Sequence, residues 1–78
     1  MNDIIVWDNG DINDKDERYT LLYGGVKRAF IFGESAIEDP RNVYPIVGID
    51  IQDMDKRYKR ISVTDLPATL IEAIKKRA

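Results

Sequence analysis

Three runs of ionisable residues concentrate whatever chemistry this 78-residue chain could perform. Asp50, Asp53 and Asp55 stand close enough in sequence to form the paired carboxylates of a general acid and base. Residues 8–17, reading Asp8-Asn9-Gly10-Asp11-Ile12-Asn13-Asp14-Lys15-Asp16-Glu17, are rich in the oxygen ligands that a hard cation selects. Lys56-Arg57-Tyr58-Lys59-Arg60 sets four cations around one aromatic ring, the pattern of phosphate contacts with base stacking.

Each run meets a physical objection. Acid–base catalysis near neutral pH leans on histidine, and the chain has none; it has no cysteine either, which removes thiolate nucleophiles, thiolate metal sites and disulfides together. A carboxyl group acts as a general acid at neutral pH only when burial raises its pKa, and Asp50, Asp53 and Asp55 surround what reads as a solvated turn. The calcium reading fails on spacing. Counted from Asp11, the fifth ligand position is Lys15, the sixth is Asp16 where a glycine is needed, and the twelfth is Leu22 where a bidentate glutamate belongs. No GxxxxGK[ST], GxGxxG or GxSxG pattern occurs. The expectation is a non-enzyme without metal or cofactor.

Binding is the remaining class. The acidic segment can steer toward a basic partner, with Asp11, Asp14, Asp16 and Glu17 as partner-binding residues; its plain reading is a solvated loop. The nucleic-acid alternative uses Lys56, Arg57, Lys59 and Arg60. If these lie on a strand, Arg57 and Lys59 point one way and Arg60 the other, so they do not make one patch, and cations also protect edge strands. A further alternative sequesters a nucleotide-like ligand through Arg18, Arg28 or Arg41. The aromatic residues read as core and sheet-face packing, and an exposed one would argue for a contact surface.

The elements that must position these residues follow from local pattern. Residues 4–7 are apolar β-formers ending at the turn signal Asp8-Asn9-Gly10. In residues 18–23, Tyr19, Leu21 and Tyr23 alternate with Arg18, Thr20 and Leu22, as a half-buried strand requires. Gly24-Gly25 suits a two-residue hairpin turn into a strand over 26–32. A helical turn is expected at 35–38. Residues 44–51 read as a strand with Val47, Ile49 and Ile51 on its apolar face, followed by a charged turn at 52–57 and a strand over 58–63. Leu66, Leu70, Ile71 and Ile74 recur at helical spacing after a cap at Thr64 or Asp65, with Pro67 in the first turn. The pattern predicts an α+β fold: a small, mostly antiparallel sheet of four to five strands packed by a C-terminal α-helix, as one domain over 1–78.

Composition sets the outer limits. With 44% hydrophobic and 33% charged residues, the chain suits one globular core, and a domain this small gains from self-association, so a homodimer is expected as one option. The net charge is −2, but residues 1–17 hold six acids against Lys15, while residues 56–78 hold seven bases against Asp65 and Glu72. No apolar run approaches the ~18 residues of a membrane span, and the N-terminus has no basic, apolar leader pattern, so a cytoplasmic protein without membrane contact is expected.

Asp8-Asn9-Gly10, Arg18-Tyr19-Thr20, Gly48 and the run Arg60-Ile61-Ser62-Val63-Thr64-Asp65-Leu66-Pro67 resemble a group of small uncharacterised proteins of bacteriophages and prophages. That group runs from a DNGG turn to a DRYT strand and ends in GKRI, DLP and a helix. Here Asp11 replaces the second glycine and Glu17 precedes Arg18. The resemblance implies an accessory protein in the host cytoplasm that binds, and inhibits or modulates, a host protein or defence complex.

Overall fold

The computed structural model describes residues 4–10, 16–24 and 28–77. Its five strands are β1 (Ile4–Asp8), β2 (Tyr19–Tyr23), β3 (Arg28–Phe32), β4 (Val43–Ile46) and β5 (Lys59–Ile61). They form one sheet in the order β4-β3-β2-β1-β5, every pair antiparallel. Three helices join them: α1 (Ser35–Glu38), α2 (Ile51–Arg57) and α3 (Ala68–Arg77), the last preceded by a 3-10 turn at Val63–Asp65. The expected α+β fold, an antiparallel sheet with a C-terminal helix, is the one observed.

Strand register divides the side chains between two faces. Opposed residues share a face, so the pairs Val6–Leu21, Leu21–Phe30 and Phe32–Val43 line one side of the sheet. Onto that side α3 lays Leu70, Ile71 and Ile74, the apolar stripe that the spacing predicted, and Leu66 and Ala36 complete the cluster. Leu21, Phe32 and Leu70 lose all contact with solvent. Burying each such side chain contributes about 1.5–3 kcal/mol, which makes this layer the main source of stability. The other side begins with Trp7, opposite Thr20 and Arg60. There α2 covers only the Trp7 end, through Met54, its one buried residue.

Two parts of the sequence-based reading are corrected. The strand expected over 44–51 ends at Ile46, and the charged turn expected at 52–57 is helix α2. Gly48 takes a left-handed φ of 79°, which breaks the extended chain, and the Asp50 carboxylate accepts from the Gln52 N–H to cap the new helix. Asp53 in its first turn and Lys56 and Arg57 in its last complement the helix dipole. The predicted inward face of Val47, Ile49 and Ile51 therefore does not exist; Val47 is 96% exposed. The second correction concerns the hairpin. Tyr23 pairs with Arg28, a register that a two-residue turn does not give; Gly25 of the expected turn lies outside the described residues. A two-residue turn would have set Leu21 opposite Arg28; the observed register sets it opposite Phe30, inside the core.

The C-terminal segment shifts more modestly. The strand expected over 58–63 is limited to Lys59–Ile61. Thr64 and Asp65, expected to cap the helix, lie inside the preceding 3-10 turn, which Ser62 caps: its hydroxyl accepts from the Thr64 N–H at 3.2 Å, and Asp65 accepts from the Ser62 N–H at 3.3 Å. This capping box belongs to the 3-10 turn, and α3 starts just after Pro67, whose carbonyl accepts from the N–H groups of Leu70 and Ile71. No helix among the described residues is long and apolar enough to cross a membrane.

Candidate binding surfaces

Asp8, Asn9, Gly10, Arg18 and Thr20 form a clamp between the end of β1 and the start of β2. Arg18 donates from Nε to Asp8 Oδ1 at 2.7 Å and from Nη2 to Oδ2 at 3.2 Å, and the Gly10 N–H reaches the same carboxylate at 2.9 Å. Asn9 donates from Nδ2 to the Glu17 carbonyl at 3.0 Å, and its amide meets the buried Thr20 hydroxyl at 2.8 Å. A backbone bond from the Asn9 N–H to the Arg18 carbonyl closes the ring at 2.8 Å. Gly10, at φ 83°, lets the chain leave β1 in the left-handed conformation. The Arg18 hydrogen bond holds the Asp8 carboxyl below its ordinary range, helped by the Gly10 N–H and by Lys59 across the strand pair, against a smaller opposing effect of burial. Asp8, Asn9, Arg18 and Thr20 therefore spend their polar groups on each other.

Of the four predicted partner-binding acids, Asp11 and Asp14 lie outside the described residues. Asp16 accepts a hydrogen bond from the Ser35 hydroxyl of α1, and Glu17 is exposed. Because Tyr19 pairs with Phe32, the chain entering β2 and the chain leaving β3 meet at the same end of the hairpin. The Ser35–Asp16 contact consequently sets the exposed Glu34 and Glu38 beside Asp16 and Glu17. Sequence reading missed Glu34 and Glu38 because they lie in a separate connection, and only their acidic composition hinted at a role.

The basic residues are drawn apart. Arg57 ends α2 and pairs with Asp53 at 3.5 Å, while Arg60 on β5 grips Asp55 through bonds of 2.7 and 2.8 Å. Lys56 is exposed on the helix, and Lys59 stands opposite Asp8. Asp55 also accepts from the buried Trp7 indole at 3.0 Å. Arg60 and then Trp7 hold its carboxyl below the usual range, opposite to what a general acid at neutral pH requires. Asp50 caps α2 and Asp53 meets Arg57, so the three carboxylates serve helix and sheet.

The arginines of the nucleotide reading are also scattered. Arg18 is bound to Asp8 and Arg41 to Asp39, while Arg28 opens β3 at the far end of the hairpin, about 15 Å of strand from Arg18. Among the described residues no group of three or more carboxylates could hold a metal ion.

A further surface was not foreseen. Beyond the reach of α2, the second sheet face carries a groove of ≈ 430 Å³ lined by Leu22, Ala29, Ile46, Val47, Ile49 and Ile51. Tyr44, 45% exposed, stands on the same face, opposite Ile31. It is the exposed aromatic that packing alone does not explain. The neighbouring edge of β4 is closed to another strand: Pro45 has no N–H to offer, and Arg77 donates to the Val43 carbonyl. Comparison with family models, curated proteins and solved structures returned no match.

Proposed function

We propose that the chain is a non-catalytic protein-binding module of the phage accessory kind its motifs resemble, holding a basic surface of a host protein and so inhibiting or modulating it. The observation that carries this reading is the acidic end, where Glu17, Glu34 and Glu38 stand exposed around the Ser35–Asp16 contact. A rigid frame lies behind it, since the Asp8–Arg18 and Asn9–Thr20 contacts brace the start of β2. Clustered like charge on a braced surface accelerates encounter with an oppositely charged partner. Asp11 and Asp14 belong to the same segment of sequence and add to its charge. Two of the four cations named for nucleic acid, Arg57 and Arg60, are paired with Asp53 and Asp55, which favours a protein partner.

The test is capture from a bacterial lysate on the immobilised chain, with mass spectrometry, followed by association kinetics with the captured protein. A variant carrying D16N, E17Q, E34Q and E38Q should associate at least roughly tenfold more slowly at low salt, and the difference should shrink as salt rises. Equal rates for both chains would overturn the electrostatic reading. Turnover of a substrate that is lost on replacing one carboxylate or lysine would overturn the non-catalytic one.

A further inference from the structure

We infer that Asn9-Gly10 is a self-modification site held closed by the clamp between β1 and β2: the Asn9 side chain converts to aspartate or isoaspartate when the clamp opens, and the clamp cannot then re-form. Asparagine followed by glycine is the pair most open to this chemistry, because no side chain beside the glycine nitrogen hinders its approach to the asparagine Cγ. The other asparagines, Asn2, Asn13 and Asn42, are followed by Asp3, Asp14 and Val43. In the reaction the Gly10 nitrogen bonds to Asn9 Cγ and closes a cyclic succinimide, while the Cγ–Nδ2 bond breaks and the side-chain nitrogen leaves as ammonia with the Gly10 amide proton. Solvent water then opens the ring at either carbonyl, its hydroxyl going to the carbon and its hydrogen to the nitrogen, and a carboxylate is left at residue 9.

The fold turns the two reacting groups away from each other. Asp8 stands opposite Tyr19 and Lys59 on the α3 side of the sheet, and its Oδ1 accepts from the Gly10 N–H at 2.9 Å. Thr20 stands opposite Trp7 on the other side. There the Asn9 carboxamide is held through both its atoms: Nδ2 donates to the Glu17 carbonyl at 3.0 Å and to Thr20 Oγ1 at 2.8 Å, and Oδ1 lies 3.1 Å from the same hydroxyl. The Gly10 N–H and the carboxamide are thus drawn to opposite faces. Turning Cγ toward the Gly10 nitrogen breaks these contacts and strands the hydroxyl of Thr20, a residue only 2% exposed. The Gly10 nitrogen must also give up its proton, and Asp8 is a poor base for it, because the Arg18 hydrogen bond holds the Asp8 carboxyl below its ordinary range.

Opening need not involve the core. Asn9 and Gly10 are half-buried at the end of β1, so the clamp can part while α3 stays on the sheet, and the rate of modification follows the fraction of time it is open. The conversion runs one way. An aspartate at residue 9 still accepts from the Thr20 hydroxyl but has no N–H for the Glu17 carbonyl, so oxygen faces oxygen where a 3.0 Å hydrogen bond stood. It also adds a negative charge next to Asp8. An isoaspartate puts an extra methylene into the main chain and moves the Gly10 N–H off the Asp8 carboxylate. Either product leaves the junction of β1 and β2 unlatched, so the modification marks a chain that has opened once. The inference stands on this junction alone and is independent of what the acidic end binds.

The test is incubation of the full chain in mildly alkaline buffer, with and without urea, followed by intact mass and by peptide mapping that separates asparagine, aspartate and isoaspartate. In urea, conversion should concentrate at Asn9, and the folded chain should convert there at least roughly tenfold more slowly. Thr20→Val and Asp8→Ala loosen the clamp and should each speed conversion of the folded chain at least roughly threefold. Ile74→Val takes a methylene from the core and leaves the clamp alone, so its folded rate should stay within roughly twofold of wild type. The N9D chain, which stands for the aspartate product, should show a lower denaturation midpoint than wild type. A folded chain that converts as fast as the unfolded one overturns the inference, as does an unfolded chain that converts no faster at Asn9 than at Asn42. Equal acceleration by I74V and T20V assigns the protection to the whole fold and overturns it, and slower conversion in D8A makes Asp8 the base and does the same. An unchanged midpoint for N9D overturns the one-way step.

Discussion

Arg18 grips Asp8 in a two-pronged ion pair across the mouth of the acidic segment, with Nε 2.7 Å from Oδ1, while its guanidinium carbon lies 5.5 Å from the centre of the Tyr19 ring. This contact joins the end of β1 to the start of β2, so Asp8 and Arg18 act as architecture. The pair is about one-third exposed, which limits its strength.

Asp8→Asn should destabilise the protein by about 1 kcal/mol or less at pH 7. Because Arg18 lowers the folded-state pKa of Asp8, the stabilisation is present above the unfolded value of ~3.9 and is lost as pH falls through the lower folded value. Urea titrations at several pH values should show wild type and variant converging in acid. A gap that does not narrow as pH falls below the unfolded value would contradict the linkage.

Thr20 is 2% exposed and its hydroxyl meets the Asn9 amide. Thr20→Val keeps the shape but removes the hydrogen-bond partner, at an expected cost of about 1–3 kcal/mol. Asn9→Ala combined with Thr20→Val should cost less than the two single changes added together, since each single change strands the other group. Chemical denaturation of the four proteins completes that cycle.

Leu70 and Val47 test the two faces against each other. Leu70→Ala empties a site with no solvent contact and should cost about 2–5 kcal/mol, seen as a lower denaturation midpoint. Val47→Ala, at a nearly fully exposed position, should change the stability of the monomer by no more than about 0.5 kcal/mol in dilute solution. A comparable loss at both positions would mean that the α3 layer is not the principal core.

Trp7 is the chain's one tryptophan, which makes the Trp7–Asp55–Arg60 contact visible by fluorescence. Asp55→Ala should release α2 from the second face, red-shifting the emission and increasing quenching by acrylamide. Asp55 has a lowered folded-state pKa, so wild-type emission should move the same way only in acid, as pH falls through that value, while the variant lacks this transition. An unchanged spectrum for the variant would show that Met54 alone holds the helix.

How much of this was legible in the sequence depended on whether the signal was local. The alternation around Leu21 announced β2, and the three- and four-residue spacing of Leu66, Leu70, Ile71 and Ile74 announced the helical stripe, because each of these patterns expresses its own burial. Helix α2 hid for the converse reason. It buries only Met54, so no apolar period marks its seven residues, and the chance alternation of Val47, Ile49 and Ile51 mimicked a strand. Gly48 and the Asp50 cap were the available clues.

The sequence alone determined the class of fold, the α3 stripe that drives its core and the lack of histidine and cysteine, since these depend on composition or on neighbours a few residues apart. Tertiary structure decided that Trp7 meets Asp55 across 48 residues, that Asp16 meets Ser35 beside two further acids, and that one sheet face stays partly bare. Those outcomes turn on strand register and order. Register is chosen by the whole core at once, as when Leu21 settles opposite Phe30, and no local segment contains that information.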